Sequence, residues 1–274
     1  MRIVSVWQND DLRPAVEIDG EAFPIPGFES TRTLLEETAD PSRIAHGTEP
    51  LGKVDELRLG PPVPDPRKII CVGLNYGKHV AETGREENSH PVLFAKFANS
   101  LAGPADDVIV PSVTDQVDYE GEVAVVVGRS AKDVAAADAL DHLAGVTVVN
   151  DVSARDLQKR SGQWLPGKAI DTFLPSGPAL VTMDEIGAVD DLRLRTRVNG
   201  ETVQDASTAE MIFDVPTLIE SITELMTLEP GDVICTGTPG GVAMGMTPPP
   251  WLRDGDVVEV ELSGVGTIRN RIRA

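Results

Sequence analysis

Asp118-Tyr119-Glu120-Gly121-Glu122 leads into an apolar run, Val123 to Val127. Residues two apart on an extended strand point to the same face, so Glu120 and Glu122 project together. Neighbouring carboxylates repel unless a cation or a proton sits between them. A second apolar run, Gly145-Val146-Thr147-Val148-Val149-Asn150, ends in another acid, Asp151. Three oxygen donors at strand ends suit a hard cation such as Mg²⁺ or Mn²⁺. A solvated strand end is the alternative reading in so acidic a chain. The histidines at 46, 79, 90 and 142 show neither HExxH nor paired-cysteine spacing, which argues against zinc.

Three further segments could contribute chemistry. In Asn75-Tyr76-Gly77-Lys78-His79-Val80-Ala81-Glu82, helical spacing puts His79 and Glu82 on one face. A histidine oriented by a carboxylate is a general base near neutral pH, although such pairs also arise as plain helix support. Helical spacing after Asp151 aligns it with Arg155 and Gln158, where Arg155 could grip a substrate carboxylate in two-pronged fashion or close an intrahelical salt bridge. Gly162-Gln163-Trp164-Leu165-Pro166-Gly167-Lys168-Ala169 nearly matches a phosphate-binding loop. It fails at Ala169, which lacks the hydroxyl, and nucleotide binding is rejected; Lys168 stays notable in its Gly/Pro-flanked loop. Thr236-Gly237-Thr238-Pro239-Gly240-Gly241 follows a strand and could present donors to an oxyanion or be a simple turn. No GxSxG elbow occurs.

These residues need strands to carry them. Short β-branched or alternating runs predict strands at 68–73, 92–95, 121–127, 145–149, 178–182, 192–198, 232–236 and 257–262. Helical patterns cover 131–143, 153–160 and 215–226. The order is no regular βαβ alternation, which points to a β-rich α+β fold. Short alternating strands and a helix near 30–37 precede the prolines at 61, 62, 64 and 66. A boundary there divides a small N-terminal α/β unit, 1–62, from a main domain, 63–274.

The 274 residues carry a formal charge of −20, which opposes partners bound through nucleic-acid phosphates or anionic membranes. No apolar run is long enough for a membrane span, and the start turns acidic too early for a signal peptide. Cys71 and Cys235 sit in apolar runs and read as buried thiols, so a cytoplasmic protein is expected.

Together and in order, VGLNYGKHVAETG, PVLFAKFANSLAGP, VDYEGEVAVVVGR, NDVSARDLQ, GKAIDTFLPSGP, RVNGETVQDASTAEMIFDVPTLI and LEPGDVICTGTPGGV resemble the fumarylacetoacetate hydrolase superfamily, short bacterial type. The resemblance implies a mixed β-roll, usually a homodimer, behind a small N-terminal domain. It implies Glu120, Glu122 and Asp151 as ligands of one Mg²⁺ or Mn²⁺. His79 and Glu82 match the family's lid pair and Lys168 its active-site lysine, while Tyr76, Lys96, Arg155, Gln158 and Thr238 match substrate-binding positions. The activity implied is metal-dependent C–C hydrolysis of an acylpyruvate-type acid, with the lid pair activating water and Lys168 stabilising the enolate. Decarboxylation of oxaloacetate, isomerisation or hydration of a hydroxy-dienedioate, and a catalytically silent metal-binding role are the alternatives.

Overall fold

Gly121–Val127 is apolar on both faces, and such a strand must be covered on both sides. In the computed structural model, which describes residues 1–37, 48–82, 84 and 86–274, every residue of this strand is buried. His46, and Thr83 of the motif at 72–84, lie outside the described residues. Among the described residues the strand belongs to a 12-stranded mixed sheet. The main path runs Gly52–Lys53, Glu21–Pro24, Asp11–Ile18, Arg2–Gln8, Leu174–Thr182, Leu143–Asn150, Gly121–Val127, Val233–Cys235, Ile69–Gly73 and Val92–Lys96. The fold is thus β-rich and mixed, as the element order predicts.

The two faces of this sheet are covered by different ends of the chain. Val123, Val125, Val146 and Val148 pack with Val258, Val260 and Ile268. The last three belong to a five-stranded sheet ordered Glu201–Ser207, Arg193–Val198, Val257–Leu262, Gly266–Arg273 and Val108–Ile109. On the other face Ala124, Val126 and Val149 share a core with Ile3, Val16, Leu34 and Val63 from the N-terminal segment. Arg2 and Ile3 also pair with Val181 and Leu180, so the sheet runs unbroken from the N-terminal strands into the main one.

Two helical expectations come out shorter. Residues 131–143 form only the 3-10 segment Ala136–His142. The preceding backbone is drawn to helix Val215–Leu225, where Thr223 and Glu220 accept from the amides of Val134 and Ala136. Residues 153–160 begin as strand, Ser153–Ala154, paired with Val117–Asp118, and only Arg155–Gln158 is helical. Asp151 therefore does not share a helix with Arg155 and Gln158. Helix Val215–Leu225 agrees with its pattern; Asp214 caps it by accepting from the Thr217 amide. No described helix is long and apolar enough to cross a membrane.

Candidate active site

Strand pairing brings the acids together. Gly121 pairs with Asn150 and Glu122 with Val149, so one step beyond the ladder Glu120 lies opposite Asp151. The Asp151 amide donates to the Glu120 carbonyl at 2.8 Å, extending the pairing past the strand ends. Paired residues on neighbouring strands point to one face. Glu120, Glu122 and Asp151 accordingly converge, each offering an oxygen within 4.8 Å of the others, and all three are buried.

Cations and amides surround the cluster. Lys168, at the end of the short helix Leu165–Lys168 and not in a loop, donates to Glu120 and to Asp151, at 2.6 Å each. Arg155 bridges Asp118 at 2.8 Å and Glu120 at 2.6 Å, and donates to Gln158 at 3.0 Å. Lys96 lies wholly buried behind Asp151, donating to its carboxylate and to the carbonyls of Val152 and Phe173. The Glu122 carboxylate accepts from the Gly237 amide at 2.9 Å.

These surroundings divide the carboxylates electrically. Burial opposes ionisation of Glu120, but Arg155 and Lys168 outweigh it and hold that carboxyl well below its ordinary range. Among the described residues no cation lies within ion-pair distance of Glu122; burial first, then Asp151 and Glu120, outweigh the pull of Lys168 and push it well above the ordinary value. A pocket of three buried hard-oxygen donors, one of them raised by its own neighbours, fits a hard divalent cation. Glu120, Glu122 and Asp151 could hold it.

The cluster opens on a cavity of about 460 Å³ lined by Glu120, Glu122, Lys168, Arg155, Gln158 and Thr238, with His79 and Glu82 at its side. Thr238 is fixed by donating to the Gly121 carbonyl and accepting from Gln204. His79 and Glu82 both lie on helix Gly77–Glu82, as their spacing predicts, but His79 Nδ1 and Glu82 Oε2 are 4.0 Å apart. The Glu82 carboxylate instead accepts from the Gly241 amide, at 2.9 and 3.0 Å, and His79 Nδ1 is buried with no hydrogen-bond partner among the described residues. Burial, reinforced by Arg155 and Lys168 over the opposing pull of Glu120, lowers the His79 pKa, so the imidazole is neutral at neutral pH.

Tyr76 and Lys96 are not among the residues lining the cavity. Tyr76 is buried with its hydroxyl unpartnered, and Lys96 positions Asp151 from behind. Sequence reasoning left Asp118 without a role. Its carboxylate accepts from the amides of Ala243 and Met244 and from Arg155, tying the segment that follows Thr238 to the acid cluster. The available signal was its position two before Glu120. Phe94 and Trp164, packed edge to face at 5.3 Å, form an apolar wall that no motif announced.

The profile described as "Fumarylacetoacetate (FAA) hydrolase C-terminal" matches residues 68–273. The oxaloacetate tautomerase YisK of Bacillus subtilis is 47% identical over 225 residues, covering 80% of this chain and 74% of that one. The human mitochondrial oxaloacetate tautomerase FAHD2A is 46% identical over 219 residues, 79% of this chain and 70% of its own. The solved fumarylacetoacetate hydrolase of psychrophilic Exiguobacterium antarcticum superposes with a TM-score of 0.91 at 38% identity, over 100% of this chain and 99% of that one. The matched span carries the strands that bring Glu120, Glu122 and Asp151 together, and this chain belongs to the fumarylacetoacetate hydrolase family.

Proposed function

We propose that this protein is an Mg²⁺- or Mn²⁺-dependent enzyme that interconverts the keto and enol forms of an oxaloacetate-type 2-oxo acid. The observation that carries the reading is the convergence of three buried carboxylates, balanced by Lys168 and Arg155, on one cavity. The tautomerase relatives, similar over most of their length, support the choice of reaction. When bound by Glu120, Glu122 and Asp151, the cation supplies Lewis-acid polarisation of the 2-oxo group.

The chain's own residues do the rest. His79, neutral and with Nδ1 unpartnered, takes the proton from the carbon next to the carbonyl, and the C–H electron pair becomes the enolate double bond. The proton taken up by His79 is returned through water to the enolate oxygen, giving the enol and the neutral imidazole again, and the reverse sequence returns the ketone. Lys168 stabilises the oxyanion as a fixed cation, and Thr238 and Gln158 line the space the acid occupies. A small 2-oxo acid as the partner, a homodimer and a cytoplasmic location belong to the same reading.

Hydrolysis of an acylpyruvate is the second reading, favoured by the likeness to the Exiguobacterium hydrolase. It requires Glu82 to leave Gly241 and orient His79 for water attack. The two readings separate in one experiment. Enolic oxaloacetate and an acylpyruvate are supplied in separate reactions with Mg²⁺, with chelator, and with Glu122→Gln. Rapid loss of the enol absorbance, abolished by chelator and lowered at least about a hundredfold in the variant, is the expected result. Pyruvate release from the acylpyruvate with enol decay no faster than in buffer would establish the hydrolase instead.

A further inference from the structure

Among the described residues, three basic ones line the cavity: Arg155, Lys168 and Lys159. Arg155 is committed to Asp118 and Glu120, and Lys168 to Glu120 and Asp151. Lys159 is different. Among the described residues no carboxylate lies within ion-pair distance of it, and it is exposed where the other two are buried. Its backbone is nonetheless held, because its amide donates to the Arg155 carbonyl at 3.1 Å as the short helix Arg155–Gln158 ends.

An acid with two carboxylates presents a second charge away from its 2-oxo end. The buried end of the cavity takes the 2-oxo acid end, where Lys168 and Arg155 are already held by Asp118, Glu120 and Asp151. Glu82, also on the wall, repels a second carboxylate. The side chains of Phe94 and Trp164, the latter packed where a side chain at Gly73 would fall, carry no charge themselves. We propose that Lys159 is the specificity determinant that receives the distal carboxylate of a dicarboxylic 2-oxo acid and so selects it over 2-oxo acids with an uncharged tail. This rests on the reading of the site as one for 2-oxo acids.

The test compares wild type with Lys159→Met and Lys159→Arg on oxaloacetate and on 2,4-dioxopentanoate, whose tail is neutral. In Lys159→Met the KM for oxaloacetate rises about tenfold with kcat unchanged, as expected for an exposed charge-assisted contact. Lys159→Arg restores most of it, and 2,4-dioxopentanoate is unaffected by either. The KM of wild type for oxaloacetate rises with ionic strength, and that of Lys159→Met does not. An equal loss on both substrates, or no loss on either, overturns the proposal. Should wild type turn over neither substrate, the reaction reading fails by itself, and calorimetry on Mn²⁺-loaded protein with malate and lactate still decides Lys159. Tighter binding of malate than lactate that vanishes in Lys159→Met supports it. A preference that survives the substitution, or no malate binding by wild type, overturns it.

Discussion

Asp118 shows how much a single buried charge can hold in place. Its two oxygens accept from Arg155 and from three backbone amides, those of Tyr119, Ala243 and Met244. Removing one member of a buried ion pair leaves the other uncompensated, at a cost of about 3–5 kcal/mol. Asp118→Ala should lose stability of that order in urea unfolding, together with most of its kcat, since Arg155 would then pair with Glu120 alone. Asp118→Asn, whose one amide oxygen still accepts from the Tyr119 and Ala243 amides, should lose less; equal stability of the alanine variant and wild type would refute the tie. His79 has a different signature. Its pKa is lowered from 6.5 by burial first, so the neutral base persists into pH values at which a free histidine is already protonated. The acid limb of the kcat/KM profile should therefore lie below pH 6.5 and disappear from the residual activity of His79→Gln. A limb above pH 6.5 would contradict the assignment.

Strand spacing sets the tolerance of the elements that carry the site. At Gly145 an added Cβ would fall 2.1 Å from the Val181 carbonyl oxygen, an atom of the neighbouring strand that cannot swing aside. Gly145→Ala should cost about 1–3 kcal/mol by overpacking, read as a lower thermal midpoint. Gly162→Ala, where nothing lies within 4 Å, should leave the midpoint unchanged and serves as the control. Most strands were legible because their β-branched runs are bounded by turns, and Gly121–Val127 and Val257–Leu262 match their patterns end to end. Gly266–Arg273 escaped notice because arginines fill three of its four exposed positions, although Ile268, Asn270 and Ile272 alternate inward. Residues 131–143 read as helix from their local pattern; docking on helix Val215–Leu225 overrode that preference.

At the scale of the molecule, the described residues of the N-terminal segment serve as cover. They shield Ala124, Val126 and Val149 and pair with the edge of Leu174–Thr182. A chain lacking 1–62 exposes both an apolar face and an open edge, and should aggregate when expressed alone. A monodisperse 63–274 fragment that binds Mn²⁺ as tightly as the whole chain would show instead that the boundary at the prolines separates independent units.

The sequence by itself determined the carboxylates, the β-rich class and the apolar strands, because alternation and residue type are local properties. It also put His79 and Glu82 on one helical face, since three-residue spacing is a property of the helix alone. Only the tertiary structure decided what each charged group faces. Lys96 lies behind Asp151, Arg155 is bound to Asp118 and Glu120, Glu82 is held by Gly241, and no acid among the described residues is within ion-pair distance of Lys159. Those pairings join residues far apart in the chain, from 35 positions for Glu120 and Arg155 to 159 for Glu82 and Gly241. Register across several strands fixes them, and no single segment encodes that register.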